Sequence, residues 1–347
     1  MRFRKKMTVF WAAAAAFLFV LPLLTPDAAR AADKTYTWKI QSHWPAASSS
    51  YEDSLKKVAK ELKEKTDGRL ILEPYPANAL VPAKEIFASV KRGMIQGGTL
   101  SPGYVRNEID IAGVAAGLPF AFKDVYELAY FHKWEGFEQM LRDAAAEHGI
   151  FWATDKVYPT ELVLKKPVDS LEDFKGLKLR SSGVLQQFLT KLGAAASYLP
   201  GSEVYPALSS GVVDGAHWGA AQGAYSMKLY DVCKYHLKPG LNIAATDVWV
   251  FNQKAIDKLP ADMQRIFYST METHFWERTN QYRYLEATTL AKAVEEEGVE
   301  VITLPPEEQQ KITEIAKEMW EKEAEKNEAA AKAVQKVKDY LKTLGHL

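Results

Sequence analysis

Hydrophobic and polar positions along the chain fall into two recurring patterns. Short runs of apolar or alternating residues predict strands, and longer stretches with apolar residues every three or four positions predict helices. YTWKIQS (36–42) reads as a first strand. SSYEDSLKKVAKELKEKTDG (49–68) reads as a helix with a serine cap, with Leu55, Val58, Ala59 and Leu62 on one face and a glycine stop. RLILEPYP (69–76) is the next strand, PAKEIFASVKRG (82–93) a helix with proline in its first turn, and MIQGGTLSPGY (94–104) a strand with its exit loop. Beyond GLPFAF (117–122), residues 124–149 read as helical, and GIFWATDKV (149–157), TELVLKKPV (160–168) and GLKLRSS (176–182) read as three separate strands. VLQQFLTKLGA (184–194) and the serine-capped SEVYPALSSGVVDG (202–215) are helices, whereas ASYLP (196–200), AHWG (216–219) and DVWVFNQKAI (247–256) are strands. This alternation predicts an α/β fold with mainly parallel strands. From Pro305 to His346 almost every residue favours helix, with an interrupted apolar stripe of Ile312, Ile315, Met319, Trp320, Val334, Val337 and Leu341. That tail is one long amphipathic helix or two, packed either on its own lobe or on a second subunit.

The first 32 residues follow a different rule. A basic MRFRKK precedes the apolar MTVFWAAAAAFLFVLPLL, and Ala29-Arg30-Ala31 offers small residues for cleavage near Ala31 or Ala32. The segment reads as an export signal, with a retained membrane anchor as the alternative, since its length approaches that of a span. The 315 residues that follow are enough for two lobes rather than one core, and 47% hydrophobic with 12% aromatic residues is a globular composition. Lys plus Arg and Asp plus Glu number 44 each, and removing the leader leaves the remainder slightly acidic, so no field draws in nucleic acid. Cys233 is the only cysteine, which excludes an intramolecular disulfide and a multi-cysteine metal site; it reads as a small buried hydrophobe.

Catalytic signatures are missing. There is no G-x-S-x-G elbow, P-loop, H-E-x-x-H or G-x-G-x-x-G, and the S-x-x-K of Ser54 to Lys57 is a chance-length match on a charge-studded helix. The seven histidines are scattered, and His217 stands out only because it lies beside Trp218 between Gly215 and Gly219. Arg180 carries the strongest physical argument. An arginine ending a strand inside a folded domain keeps its charge, and burying it without an anion costs several kcal/mol. Its partner is either an internal acid, with Glu161, Asp155 and Asp214 available, or a ligand, or else the strand end lies at the surface. Ligands of open α/β sheets sit beyond the carboxyl ends of strands, where Arg180, Ser181 and Ser182 fall. A planar guanidinium suits a carboxylate bidentately.

These residues, with WKIQSHWPAAS, GLPFAF, KPVDSLEDFKGLKLRSSG, EVYPALSSGVVDG and DVWVFNQKAIDKLP, make the mature chain resemble the extracytoplasmic solute receptors of TRAP transporters, the DctP-type binding proteins. The resemblance runs from end to end. It implies a two-lobed type II periplasmic binding protein fold with a hinge and a long C-terminal helix. Residues 33–157 and 246–285 would form lobe I, and 158–245 and 286–347 lobe II with the C-terminal helices. The implied function is that of a periplasmic, sodium-gradient-coupled receptor that binds a small organic acid between the lobes and delivers it to the membrane permease. Arg180 would clamp the carboxylate, Ser181, Tyr104 and Thr154 would complete the hydrogen bonds, and Trp218, Trp44 and Trp249 would shape the wall. The loops Ser42-His43-Trp44, Ser101 to Tyr104, Thr154-Asp155 and Ala216 to Gly219 correspond to the family's cleft walls.

The closest likeness is to the subgroup that binds 2-oxo or hydroxy acids, in which sodium or calcium bridges solute and protein and the tail helix swaps between two subunits. No cofactor is required. Where that subgroup has a Glu-Trp pair this chain has His217-Trp218, leaving Asp247 and Glu161 as the candidate oxygen ligands for a metal. Thr160 and Glu161 stand where the family carries an auxiliary arginine or polar residue. If Glu161 faces the cleft, the solute bears an amine or hydroxyl, or a cation lies between two acids; strand alternation leaves its direction open. Two other functions use the same cleft: a secreted enzyme working through His217 and Asp247, and a receptor that feeds a membrane sensor.

Overall fold

A computed structural model describes residues 34–347, apart from the side chains of Ile243 and Ala244. The leader read in residues 1–32 lies outside the described residues. Among the described residues nine strands form one connected sheet: β1 (Tyr36–Gln41), β2 (Leu70–Tyr75), β3 (Gly97–Leu100), β4 (Ile150–Leu164), β5 (Lys178–Arg180), β6 (Ala195–Ser197), β7 (Gly215–Gly219), β8 (Tyr235–Asn252) and β9 (Glu300–Thr303). Their order is β2-β1-β3-β8-β4-β7-β5-β6, with β9 pairing β8. The outer pairs are parallel, as the alternation of elements predicts, but the centre is antiparallel. There β3 runs against β8, β8 against β4, and β4 against β7.

The central strands are longer than their sequence pattern predicts. Residues 149–157 and 160–168 are not two strands, because β4 runs unbroken from Ile150 to Leu164. Pro159 suggests a break because it cannot donate to a ladder, yet it falls at a register shift between Tyr158 and Thr160, one of the places a strand tolerates proline. Likewise β8 is 18 residues long, starts well before Asp247 and ends at Asn252. Asn252 then caps a short helix by accepting from the N–H of Ala255. The helix read over 124–149 is two, Val125–Lys133 and Phe137–Ala146, parted at Gly136.

These two long strands tie the halves of the molecule together. Strand β3 flanks β8 only at Val248–Phe251, whereas β7 flanks β4 at Thr160–Leu164 and β9 flanks β8 at Tyr235–Lys238. Two buried apolar clusters draw on residues 38–157 and 248–341, and two others on 162–241 and 290–319. The stretch of β4 and β8 between them is a two-stranded ribbon. A second tie is the helix Ala261–Glu297, which contributes Phe267, Met271 and Phe275 to the first pair of clusters and Ala293 to the second. No proline or glycine interrupts it until Gly298, at φ +65°, and its 37 residues span about 55 Å.

The tail forms two helices, Pro306–Ala324 and Glu328–Thr343, and folds back on its own chain. Ile312, Ala316 and Met319 of the first join the cluster around Leu162 and Phe188. Val334, Val337, Tyr340 and Leu341 of the second are buried against Leu118, Phe122 and Phe131. The last helix therefore packs with the first half, not with residues 158–245 with which the sequence reading grouped it. Its apolar face matches the aromatic surface around Phe131, whose ring lies 5.4 Å from that of Tyr340.

Candidate functional site

A cleft of about 810 Å³, counting its solvent-open mouth, lies where the two halves meet. Gly103 and Gly183 form its lips, so close that a Cβ on Gly103 would come within 3.4 Å of the Gly183 backbone. Asn78 and Ser202 bond side chain to side chain at 3.0 Å, and Tyr104 meets Tyr198 edge to face at 5.5 Å. The halves are closed upon the cleft.

Arg180 ends β5, paired in parallel with Ser197 on one side and Ala216 on the other. It lines the cleft while only 3% exposed. Its Nε donates to the Leu199 carbonyl at 3.0 Å, its Nη1 to the His217 carbonyl at 2.6 Å, and the guanidinium lies 5.0 Å from the Trp218 ring centre. Among the described residues no carboxylate pairs with it. The three internal acids open to it by sequence are engaged elsewhere. Glu161 pairs with His236 and Lys238, Asp155 with Lys156 and His274, and Asp214 accepts from the Lys178 N–H. Carbonyl dipoles orient Arg180 but leave its charge unneutralised.

His217 also lines the cleft, and its Nδ1 lies 3.0 Å from the Ser181 hydroxyl. Burial, together with the positive charge of Arg180, lowers its pKa to about 3, so the imidazole is neutral. Trp218 rests on Gly201, where an added Cβ would approach the indole to 2.7 Å; glycine is needed there to seat the ring. Trp44, Tyr104 and Asp247 line the cleft as well, and so do His43, Ser101, Gly103 and Gly219 of the predicted wall loops.

Four others are placed elsewhere. Ser181 is wholly buried and reaches the cleft only through His217. Thr154 is not in a loop: its hydroxyl lies 3.2 Å from His132 Nδ1 and its N–H donates to Glu138. Trp249 is a core residue stacked on Phe251, with its N–H on Asp155. Glu161 faces away from the lining, into a buried group with His236, Lys238 and Glu286, in which burial and the charge of Glu161 push the Glu286 pKa up. Glu161, His236 and Glu286 have the spacing of a metal site, but Lys238 already bridges the two carboxylates and both nitrogens of His236 have partners. Asp247 and Glu161, the two candidate metal ligands, do not come together.

Sequence reasoning missed several lining residues and one lying just behind them. Tyr158, Asn242, Thr246 and Tyr282 line the cleft, the last from the long helix. Thr160, left undecided by sequence, lines it too, and its buried hydroxyl has no hydrogen-bond partner among the described residues. Behind the lining stands Lys156, fully buried, donating to Asp247 at 2.7 Å and to Asp155 at 3.0 Å. Asp247 also faces His43 Nε2 at 3.3 Å and accepts from the Trp44 indole N–H at 3.2 Å. Burial alone would raise the Asp247 pKa; the Lys156 charge and the bonds from His43 and Lys156 outweigh it and hold the group at about 2. The one sequence signal for this pair was a charged Asp155-Lys156 step inside a strand flanked by apolar and aromatic residues, IFWATDKVY.

Chemically, the cleft offers one unneutralised cation, a neutral imidazole, hydroxyls and amides, and aromatic walls. That is a mostly apolar pocket with a few polar groups able to orient a small anion.

Comparison with known proteins agrees. Residues 41–327 match the family described as "Bacterial extracellular solute-binding protein, family 7", DctP. The monocarboxylate 2-oxoacid-binding periplasmic protein of Nostoc sp. is 26% identical over 310 residues, 88% of this chain and 84% of the relative. Among solved structures, a TRAP periplasmic solute-binding protein of Pseudoalteromonas atlantica with bound sodium and pyruvate superposes with TM-score 0.82 at 26% identity, covering 90% of this chain and 95% of that one. Another from Colwellia psychrerythraea, with bound calcium and pyruvate, superposes with TM-score 0.81 at 25% identity over 90% and 95%.

Proposed function

Because the chain belongs to the DctP family of bacterial extracellular solute-binding proteins, we propose that it is the periplasmic receptor of a TRAP transporter and binds a small organic acid in the interlobe cleft. The observation that carries this reading is Arg180: buried, lining the cleft, held by two carbonyls and without a partner carboxylate among the described residues. A solute carboxylate supplies the missing charge. Tyr104, His217, Thr160 and Asn242 surround the rest of the solute with polar atoms, and Trp44 and Trp218 with flat apolar ones. The Nostoc relative's 2-oxoacids and the pyruvate of the solved relatives support a monocarboxylate of that size.

The lobes divide across the β4–β8 ribbon, near Val157 and Thr246, and the ribbon and long helix flex as solute enters. Closing expels water, and the closed form is what the sodium-driven permease recognises. Family members are transport receptors rather than enzymes, and no helix among the described residues is long and apolar enough to cross a membrane. A homodimer through the final helix requires exchange of that helix, because its apolar stripe is buried within its own chain.

Catalysis through His217 and Asp247 would need the two to act as a base pair. Instead His217 bonds Ser181 and Asp247 is held by Lys156. The test is mass spectrometry of what co-purifies with the natively prepared protein, together with melting temperature against monocarboxylates, amines and sugars. A carboxylate-specific rise is expected; a response to amines or sugars alone, or turnover of the bound compound, rejects the reading.

A further inference from the structure

Sodium and calcium bind through oxygen, and calcium collects six to eight such ligands, carboxylates foremost. The cleft supplies hydroxyl and amide oxygens but no uncommitted carboxylate. Asp247 is the one carboxylate among the described lining residues, and both of its oxygens are committed. Oδ2 accepts from Lys156 and Trp44, and Oδ1 faces His43. His217 offers the cleft a neutral nitrogen rather than an oxygen, and Glu161 lies in a separate cluster.

What the site does have is an ammonium. Lys156 Nζ stands directly behind the lining, with the rings of Trp44, Tyr158 and Tyr282, all cleft residues, at 4.7, 4.5 and 5.6 Å from it. Ring faces attract a cation, and two carboxylates complete its shell. Lys156 faces Asp247 across the β4–β8 ladder. Asp155, the ammonium's other carboxylate, has further partners in His274 and the nearby charge of Arg278, so Lys156 is left to balance Asp247, and the charge left to the solute is that of Arg180 alone, which one carboxylate balances. A metal ion added beside Lys156 would leave the closed cleft with surplus positive charge and would meet like-charge repulsion at short range.

We propose that the fixed ammonium of Lys156 takes the place of a metal ion in this cleft, so that this chain binds its carboxylate solute independently of sodium and calcium. The inference rests on the carboxylate reading above. It makes Lys156 a positioning residue: it does not line the cleft, and it acts by cancelling and fixing Asp247. The consequence is specific. Removing the ammonium uncovers a buried carboxylate within an oxygen- and ring-lined space, which repels an anionic solute until a free cation enters.

The test uses the full mature chain, pyruvate as the probe solute, and two buffers: one EDTA-treated with choline chloride, the other containing sodium and calcium chloride. For the wild type, the pyruvate dissociation constant from calorimetry is expected to agree within twofold between them, and calcium chloride alone leaves the melting temperature unchanged. Lys156→Met is expected to bind pyruvate at least tenfold more weakly in the metal-free buffer and to regain most of that loss with calcium. Lys156→Gln serves as a second variant, with circular dichroism to verify folding. Loss of wild-type binding in the metal-free buffer overturns the proposal, even if neither variant folds. So does a calcium-induced rise in wild-type melting temperature, or a folded variant that binds like the wild type. If neither pyruvate nor any other monocarboxylate of a panel binds in either buffer, the carboxylate reading itself fails.

Discussion

Replacing Arg180 by methionine separates its role in binding from its role in folding. Methionine keeps the volume and the apolar stem but removes the fork. Two effects on the free protein oppose one another. The carbonyls of Leu199 and His217 lose their donors, roughly 1 kcal/mol each, while an unpaired buried charge is abolished, which relieves a penalty of several kcal/mol. The solute-free melting temperature is therefore expected to hold or rise. Binding behaves differently, because the solute carboxylate would then be buried with no counter-charge. Breaking a buried pair from one side costs about 3–5 kcal/mol, or a few-hundred- to few-thousand-fold in dissociation constant. Isothermal titration with the co-purified acid measures that loss directly, and the solute-induced melting shift should vanish at concentrations that saturate the wild type. Arg180→Lys, which retains charge without the planar fork, should fall between the two. An independent readout comes from His217: with the guanidinium gone, its depressed pKa should move up in an NMR titration. Methionine-variant binding within threefold of wild type, or a collapse of the solute-free melting temperature with unchanged affinity, would refute the assignment of Arg180 as the clamp.

Three further outcomes follow from the same geometry. Thr160→Val removes a buried hydroxyl that lacks a partner, so the solute-free protein should be about 1 kcal/mol more stable while the solute binds roughly tenfold more weakly, measured by denaturation and calorimetry. For pH, burial lowers the pKa of both His217, to about 3, and His132, to about 4, so each contributes stability that is fully present above the unfolded value near 6.5. As pH falls from about 6.5 towards 4, each should cost up to about 1.4 kcal/mol per pH unit, and His217→Gln should remove its share of the slope. The Asp247 contribution persists to lower pH and is lost only between about 4 and 2. Tyr340→Ala opens a hole beneath the last helix, where the ring meets Phe122, Phe131 and Tyr130, and should lower stability by about 3 kcal/mol in urea denaturation without altering solute affinity.

Much of the fold is legible because its elements are local. Amphipathic helices, glycine stops and short apolar runs mark themselves within a dozen residues, although the serines read as caps for 49–68 and 202–215 make no capping bond; Arg180 at the carboxyl end of its strand, followed by Ser181 and Ser182, follows from position alone. Also legible was that this arginine, once buried, needed an anion. The tertiary structure decided which one was absent, by sending Glu161, Asp155 and Asp214 to other partners. The errors share a cause. Side-chain direction along a strand alternates with period two, and each irregularity in the ladder resets it. Register shifts between Thr154 and Lys156, and again between Tyr158 and Thr160, bracket the stretch where Asp155, Lys156 and Tyr158 were to be placed. No local pattern reports such a reset. Lys156 meets Asp247 across 91 positions of sequence because β4 and β8 pair in one register, and Tyr282 enters from a helix whose rotation is set by packing on both halves. The sequence alone determined that a positive charge ends a strand in a two-lobed α/β chain. Only the tertiary structure decided that it is buried, that it faces a cleft without an acid of its own among the described residues, and that a lysine stands behind Asp247, the one described carboxylate in the lining.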